Sequence, residues 1–232
     1  MAEYLVEQFL LHATPYKETS ALVTGFSREL GKVRYVAKGV YSKSNKYKGL
    51  TQPFTLFSCR LRGNGELKSS FATEALARAV PLQGNALYCA MYCNEVLVRV
   101  LPPEEPNENL FSFYQETLQR LSQQENPEPI LREFELFLLQ EMGAAYDFAS
   151  DASSAEPVMT EYVYDYVPEY GFTRAGSSRR QQQFYGADLL AIGQQHWTPD
   201  SLKAAKRFTR LALSPFLGNK PLKSRELFQK PL

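Results

Sequence analysis

The sequence predicts an α+β protein, a small β-barrel in the first eighty residues followed by a mainly α-helical domain. Two observations carry this. Apolar residues alternate with period two in short segments up to about residue 80, and they recur at helical spacing from about residue 83.

The barrel elements come first. QFLLHA, SALVTGF, KVRYVAKGV, QPFTLFSCRL and ELKSSFAT read as strands, separated by turn residues such as Pro15, Gly31, Gly39 and the GNG at 63–65. Five short strands with this spacing suit a closed barrel of the OB-fold type, here residues 1–80. In KVRYVAKG, Val33, Tyr35 and Ala37 point one way, and Lys32, Arg34 and Lys38 the other. A half-buried strand therefore gathers its cations on the outer face.

The helical domain is expected over 81–232. ALYCAMYCNEVLVRVL carries a helical apolar pattern and stops at Pro102-Pro103, because proline cannot continue a helix. NENLFSFYQETLQRLSQ and PEPILREFELFLLQEMG read as two further amphipathic helices. An irregular insertion follows at about 144–184, with a small hairpin expected around YVYDY and GFTRAG. Helical pattern returns in GADLLAIGQQ and in TPDSLKAAKRFTRLALSPFLG, where Thr198 or Asp200 could cap the start. The tail NKPLKSRELFQKPL is basic and broken by proline.

With 232 residues, 44% of them hydrophobic, the chain can bury a real core. The first twenty residues carry acids and no basic start before an apolar run. No stretch approaches the ~20 apolar residues of a bilayer span. A soluble, cytoplasmic chain is expected, monomeric when alone and without a membrane partner. Its three cysteines, Cys59, Cys89 and Cys93, fit a reducing compartment and read as small core residues.

Little in the sequence points to bond chemistry. There are two histidines, His12 and His196, neither near a cysteine or histidine at ligand spacing, so no metal or other cofactor is implied. GNGELKSS at 63–70 lacks the spacing of a phosphate loop and reads as a hairpin turn. Glu125, Glu128, Glu133, Glu135 and Glu141 are scattered over helix faces. No enzyme is expected.

Charge is the informative signal. The net value of +1 hides a segregation: twelve cations against six acids in 1–80, three against fifteen in 81–165, and eleven against four in 166–232. Residues 32–49, KVRYVAKGVYSKSNKYKG, hold five lysines, one arginine and three tyrosines with no acid at all. Arg60, Arg62 and Lys68 follow on neighbouring strands. A barrel face carrying cations beside aromatic rings suits single-stranded nucleic acid, because cations follow phosphates while rings stack on bases. The expected phosphate surface is Lys32, Arg34, Lys38, Lys43, Lys46, Lys48, Arg60, Arg62 and Lys68, with Tyr41 and Tyr47 as stacking residues and Tyr35 in the core.

The runs PYKETSALVTGFSRELGKVRYVAKGVYSKSN and KGLTQPFTLFSCRLRGNGELKS resemble the N-terminal domain of the bacterial recombination mediator RecO family. PEPILREFELFLLQEMG resembles the family's central helices, and SLKAAKRFTRLALSPFLGNKPLKSRELF its ending. The resemblance implies an OB-fold and a helical C-terminal domain. It also implies a non-enzymatic role in DNA repair and recombination, at the nucleoid: binding single- and double-stranded DNA, annealing complementary strands, and helping to load RecA onto strands coated by single-stranded DNA-binding protein. The partners it implies are that protein's acidic C-terminal tail, RecR, and in some members RecF. Many members carry a four-cysteine zinc site between the central and last helices. Residues 143–178 of this chain, GAAYDFASDASSAEPVMTEYVYDYVPEYGFTRAGSS, contain no cysteine and no histidine, so the segment should be held by aromatics such as Phe148, Tyr164, Tyr166 and Phe172.

A second basic region lies in SLKAAKRFTRLAL. Lys203, Lys206, Arg207 and Arg210 share a helix with an apolar face of Leu202, Ala205, Phe208, Leu211 and Leu213. With Arg132 from a neighbouring helix, they could rim a groove for the acidic partner tail. The plainer reading of Arg132 is an ion pair with Glu128 or Glu135. An OB-fold adaptor for proteins, binding nucleic acid incidentally, is the alternative to the mediator.

Overall fold

A computed structural model of the chain describes residues 2–41, 52–123, 126–176 and 182–228. By spatial contact the chain divides into two compact units, Met1–Pro127 with Leu217–Leu232, and Glu128–Phe216.

The first unit contains a closed five-stranded barrel: β1 (Glu3–Tyr16), β2 (Ser20–Ser27), β3 (Gly31–Ala37), β4 (Leu56–Arg62) and β5 (Leu67–Ala75), paired in the order β1-β2-β3-β5-β4 and closed by β4 on β1. Four of the pairings are antiparallel, and only β3 with β5 is parallel. β1 is much longer than the QFLLHA pattern suggests. It serves two partners, pairing with β4 over Glu3–Phe9 and with β2 over Gln8–Tyr16, with a register shift between Leu10 and His12. β3 alternates as expected: Val33, Tyr35 and Ala37 are buried with Val6, Val23, Phe57 and Leu61, while Arg34 is exposed.

Two helices, α1 (Gly84–Val100) and α2 (Glu108–Gln123), pack on the outside of β1 and β2, so this unit runs past residue 80. Asn107 caps α2 by accepting a hydrogen bond from the Leu110 amide at 2.8 Å. Phe9 and Phe26 point away from the barrel interior onto Phe111, at 5.5 and 5.4 Å between ring centres, and Phe9 also meets Tyr114 edge-on at 5.3 Å. The register shift leaves strand carbonyls unpaired. Asn94 of α1 donates to the Leu10 and Leu11 carbonyls at 3.4 and 3.3 Å, and accepts from the Tyr114 hydroxyl. Asn94, a buried polar residue on the apolar face of α1, thus joins helix to strand. Residues 220–224 are fastened to α1 by Glu95, which accepts from Lys223 and Ser224, and by Arg99, which donates to the Lys220 and Pro221 carbonyls. The short α6 (Ser224–Leu227) follows.

The second unit holds α3 (Glu128–Glu141), a three-stranded antiparallel sheet in the order β7-β6-β8, and helices α4 (Gly186–Gly193) and α5 (Pro199–Leu217). The expected hairpin is β6 (Val163–Val167) with β7 (Gly171–Arg174); β8 (Gln183–Tyr185) joins its other edge. Thr198 is the cap of α5, its hydroxyl accepting from the Ser201 amide at 3.1 Å, with Pro199 in the first helical position. The core is aromatic. Tyr146, Phe148, Tyr166, Phe172 and Phe184 surround Phe208 at 5.1, 5.2, 5.4, 5.4 and 6.4 Å between ring centres. Asp151 gathers the loop 151–154, accepting from the Ser153 amide and hydroxyl, the Ser154 amide and the Arg174 amide. Burial by itself would raise its pKa, but those four donors outweigh it and hold the carboxyl below its ordinary range. Among the described residues no helix is long and apolar enough to cross a membrane.

Candidate nucleic-acid interface

β1 and β2 are covered by α1 and α2, whereas the outer faces of β3, β5 and β4 carry exposed cations. Arg34 lies opposite Leu67, Arg62 opposite Ser69 and Arg60 opposite Ala72, so the three guanidinium groups spread across three adjacent strands, on the order of 10 Å of surface. Arg34 and Arg60 are exposed and have neither an ion pair nor a side-chain hydrogen bond among the described residues. Arg62 donates to Glu3 at 3.0 Å, an exposed pair that salt or a phosphate can displace. Lys38 and Tyr41 are exposed just beyond β3. The carboxylates of Glu66 and Glu74 are exposed on β5 and its turn and moderate the positive field.

Lys43, Lys46, Tyr47 and Lys48 lie outside the described residues. The remaining two expected phosphate contacts are corrected by the structure. Lys68 is 2% exposed, not on the outer face; its ammonium pairs with Glu104 and donates to the Gly65 carbonyl at 3.2 Å. It sits at the start of β5 on the inward side of the alternation, where a cation must be paired to be tolerated. Lys32 is half-buried and donates to the Val98 carbonyl at 3.0 Å; burial, with Arg34 adding to it, lowers its pKa. The Lys32 ammonium fastens α1 to the barrel, and Lys68 fastens the α1–α2 connection to it. The Lys32 carbonyl accepts from the Glu104 amide, and a Cβ at Gly31 would lie 1.9 Å from the Glu105 carbonyl. Gly31 also has φ +66, so glycine is required there twice over.

The second basic region also departs from expectation. Arg132 is 3% exposed and stands on no rim. It forms a fork with Glu135, both contacts at 3.1 Å, and Thr209 of α5 joins them, donating to Glu135 at 2.5 Å. The plainer reading, pairing with Glu135, is the one realised. Of the α5 cations, Lys203 faces Asp200 at 3.5 Å and Lys206 faces Glu128 at 3.4 Å. Arg207 stacks on Phe184 at 4.1 Å and donates to the Gln183 carbonyl. Arg210 is exposed. Leu202 and Leu211 are only half-buried, and the packed face of α5 is Ala204, Ala205, Phe208, Thr209, Ala212 and Leu213.

No group of three or more His, Cys, Asp and Glu among the described residues is placed to hold a metal, and His12 and His196 are exposed. The segment in which the zinc of related chains would lie offers no cysteine or histidine and is filled by the Phe208 aromatic cluster, so its residues do not fit that ion.

A five-stranded barrel closed in this order, covered by helices on one side and followed by a mainly helical region, defines an OB-fold protein. The chain belongs to the recombination protein O family, which acts in DNA repair and recombination: residues 1–77 match Recombination protein O N terminal, and residues 81–226 match Recombination protein O C terminal. Among its relatives, the DNA repair protein RecO of Vibrio parahaemolyticus is 46% identical over 228 residues, 98% of this chain and 93% of that protein. RecO of Actinobacillus succinogenes is 47% identical over 221 residues, 95% of this chain and 93% of its own length. RecO of Vibrio cholerae is 45% identical over 231 residues, 99% and 95% of the two chains.

Proposed function

We propose that the protein is a non-enzymatic recombination mediator of the cytoplasm that binds single- and double-stranded DNA on the β3-β5-β4 face and anneals complementary strands. The observation that carries this is the pair Arg34 and Arg60, exposed and without an ion pair among the described residues, where most other barrel cations are engaged. Annealing needs no bond to be made or broken. Two strands repel through their phosphates, and a cationic face that neutralises both leaves base edges free to pair. Arg34, Lys38, Arg60 and Arg62 are its described members, and Lys43, Lys46 and Lys48 belong to the same basic run.

On this reading the protein also helps to load RecA onto strands coated by single-stranded DNA-binding protein, with that protein's acidic tail, RecR and RecF as partners. The outer edge of α5, with Lys203 and Arg210, is the remaining basic place for an acidic tail. Mixing complementary oligonucleotides with the purified protein alone tests the core of the proposal. Annealing should accelerate with wild type, and the Arg34→Glu/Arg60→Glu variant should lose the acceleration. Unchanged annealing by that variant would favour an adaptor that grips proteins.

A further inference from the structure

The β4–β5 ladder is interrupted once. Arg60 pairs with Ala72 and Leu61 with Ser70, which leaves Phe71 as the extra residue of a β-bulge. A bulge re-aims a side chain that regular alternation would have placed elsewhere, and bulges concentrate beside functional sites. Here the re-aimed side chain is a large ring, 44% exposed, on the strand between the arginines of β3 and β4. The Arg62 guanidinium stands 4.8 Å from its centre. The same ring helps to wall a cavity of about 280 Å³ at the end of the barrel. Tyr35 and Phe57 line this cavity and are buried, Ser70 and Thr73 supply hydroxyls, and Lys38 is its exposed cationic wall.

An exposed ring could serve an apolar protein partner, but the charges around it choose otherwise. Arg62 on the ring, Arg60 on the adjoining strand and Lys38 at the cavity are cations and outnumber the acids nearby, Glu3 paired with Arg62 and Glu74 further along β5. A ligand that brings a flat apolar face together with negative charge satisfies both features, and an unpaired nucleotide of a single strand is such a ligand. We propose that Phe71 is a stacking platform for one unpaired base at the mouth of this cavity, with Arg62 and Lys38 on the flanking phosphates. The proposal rests on the phosphate-binding reading of the β3-β5-β4 face and adds a selectivity that cations alone do not supply. Bases in a duplex are already stacked and paired, so the platform favours single strands over duplex.

The test is binding of labelled oligothymidine and of a duplex of equal length by Phe71→Ala, Phe71→Leu and Phe71→Trp, each over a series of salt concentrations. Loss of one stacked base should weaken oligothymidine binding by about fivefold to a hundredfold in the alanine and leucine variants. Their salt slope should be unchanged and duplex binding should move by less than about threefold. Phe71→Trp, which keeps a ring, should retain or improve affinity, and this separates stacking from mere apolar bulk or loss of fold. A steep wild-type salt slope with unaltered oligothymidine binding by Phe71→Ala overturns the platform and leaves the phosphate face standing; a ring that docks a protein gives that result. Equal losses on single strand and duplex would make Phe71 a support for Arg62, and also overturn it. A flat wild-type salt slope removes the phosphate face itself.

Discussion

The barrel and α5 both carry basic clusters, but among the described residues more of the α5 cations are engaged. Of Lys203, Lys206, Arg207 and Arg210, Arg210 alone is exposed with neither an ion pair nor a hydrogen bond among those residues. Among the described residues Arg34 and Arg60 have no carboxylate against them, whereas Lys203, Lys206 and Arg207 each meet Asp200, Glu128 or the Gln183 carbonyl. The barrel cations come from a stretch with half as many acids as bases; α5 packs beside α3, from the acidic middle of the sequence. What makes a cation a binding residue is the absence of acids near it in space. The number of cations in a run is a poorer guide.

The contrast extends to how the two units are held. Replacing Phe208 by alanine would break the second unit most severely, because one ring meets five others. A loss of about 3–5 kcal/mol is expected, measured as a shift in the urea midpoint. Barrel DNA binding per folded molecule should persist.

Lys68 sharpens the distinction between availability and burial. Lys68→Ala should destabilise by about 1–3 kcal/mol, because Glu104 loses its partner and the stem's packing is lost. Lys68→Met, which keeps the stem, should cost less and leave DNA affinity unchanged. A drop in affinity with Lys68→Met would return this residue to the phosphate surface.

Glu95 gives a pH signature to the first unit. Burial by itself would raise its pKa, but the Ser224 amide and hydroxyl, the Lys223 amide and Arg99 outweigh it, so the folded-state value lies below the ordinary 4.5. The stabilisation is therefore complete above about pH 4.5 and is lost as pH falls through the folded-state value. Glu95→Gln should cost about 1–2 kcal/mol at pH 7, and should show a weaker loss of stability on acidification below pH 4.5 than wild type. Parallel acid unfolding curves would contradict this.

The smallest effect is expected on α5. Lys203→Glu/Arg210→Glu should change naked-DNA affinity by less than about threefold while weakening an acidic, apolar-ended peptide. Equal loss of both would make α5 an extension of the DNA face.

Much of the fold was legible because it is written in local periodicity. The alternation of β3, the helical spacing of α1 to α3 and the Thr198 cap all depend on neighbours in sequence. What escaped depends on distant partners. Lys68 looks like any outward strand cation until β5 is placed and Glu104, 36 residues on, closes over it. Arg132 reads as a rim residue or as a partner of Glu135, and it is Thr209, distant in sequence, that encloses the pair. β8 is three residues long, too short to carry a period. Phe71 was invisible for a different reason: a bulge breaks the alternation from which a strand's outer face is inferred. The aromatic packing of residues 143–178 was legible because composition alone supplies it: the segment carries many rings, and Tyr146, Phe148, Tyr166 and Phe172 meet Phe208.

The central claim is that exposed barrel arginines bind phosphates, and a salt titration of oligonucleotide affinity tests it most directly. With about five phosphates neutralised on a single strand, log affinity should fall with log salt at a slope near −3.5, roughly a hundredfold between 50 and 200 mM. The Arg34→Glu/Arg60→Glu variant should flatten the slope by about two contacts, toward −2. A wild-type slope near zero, or one that the variant leaves unaltered, would contradict the account.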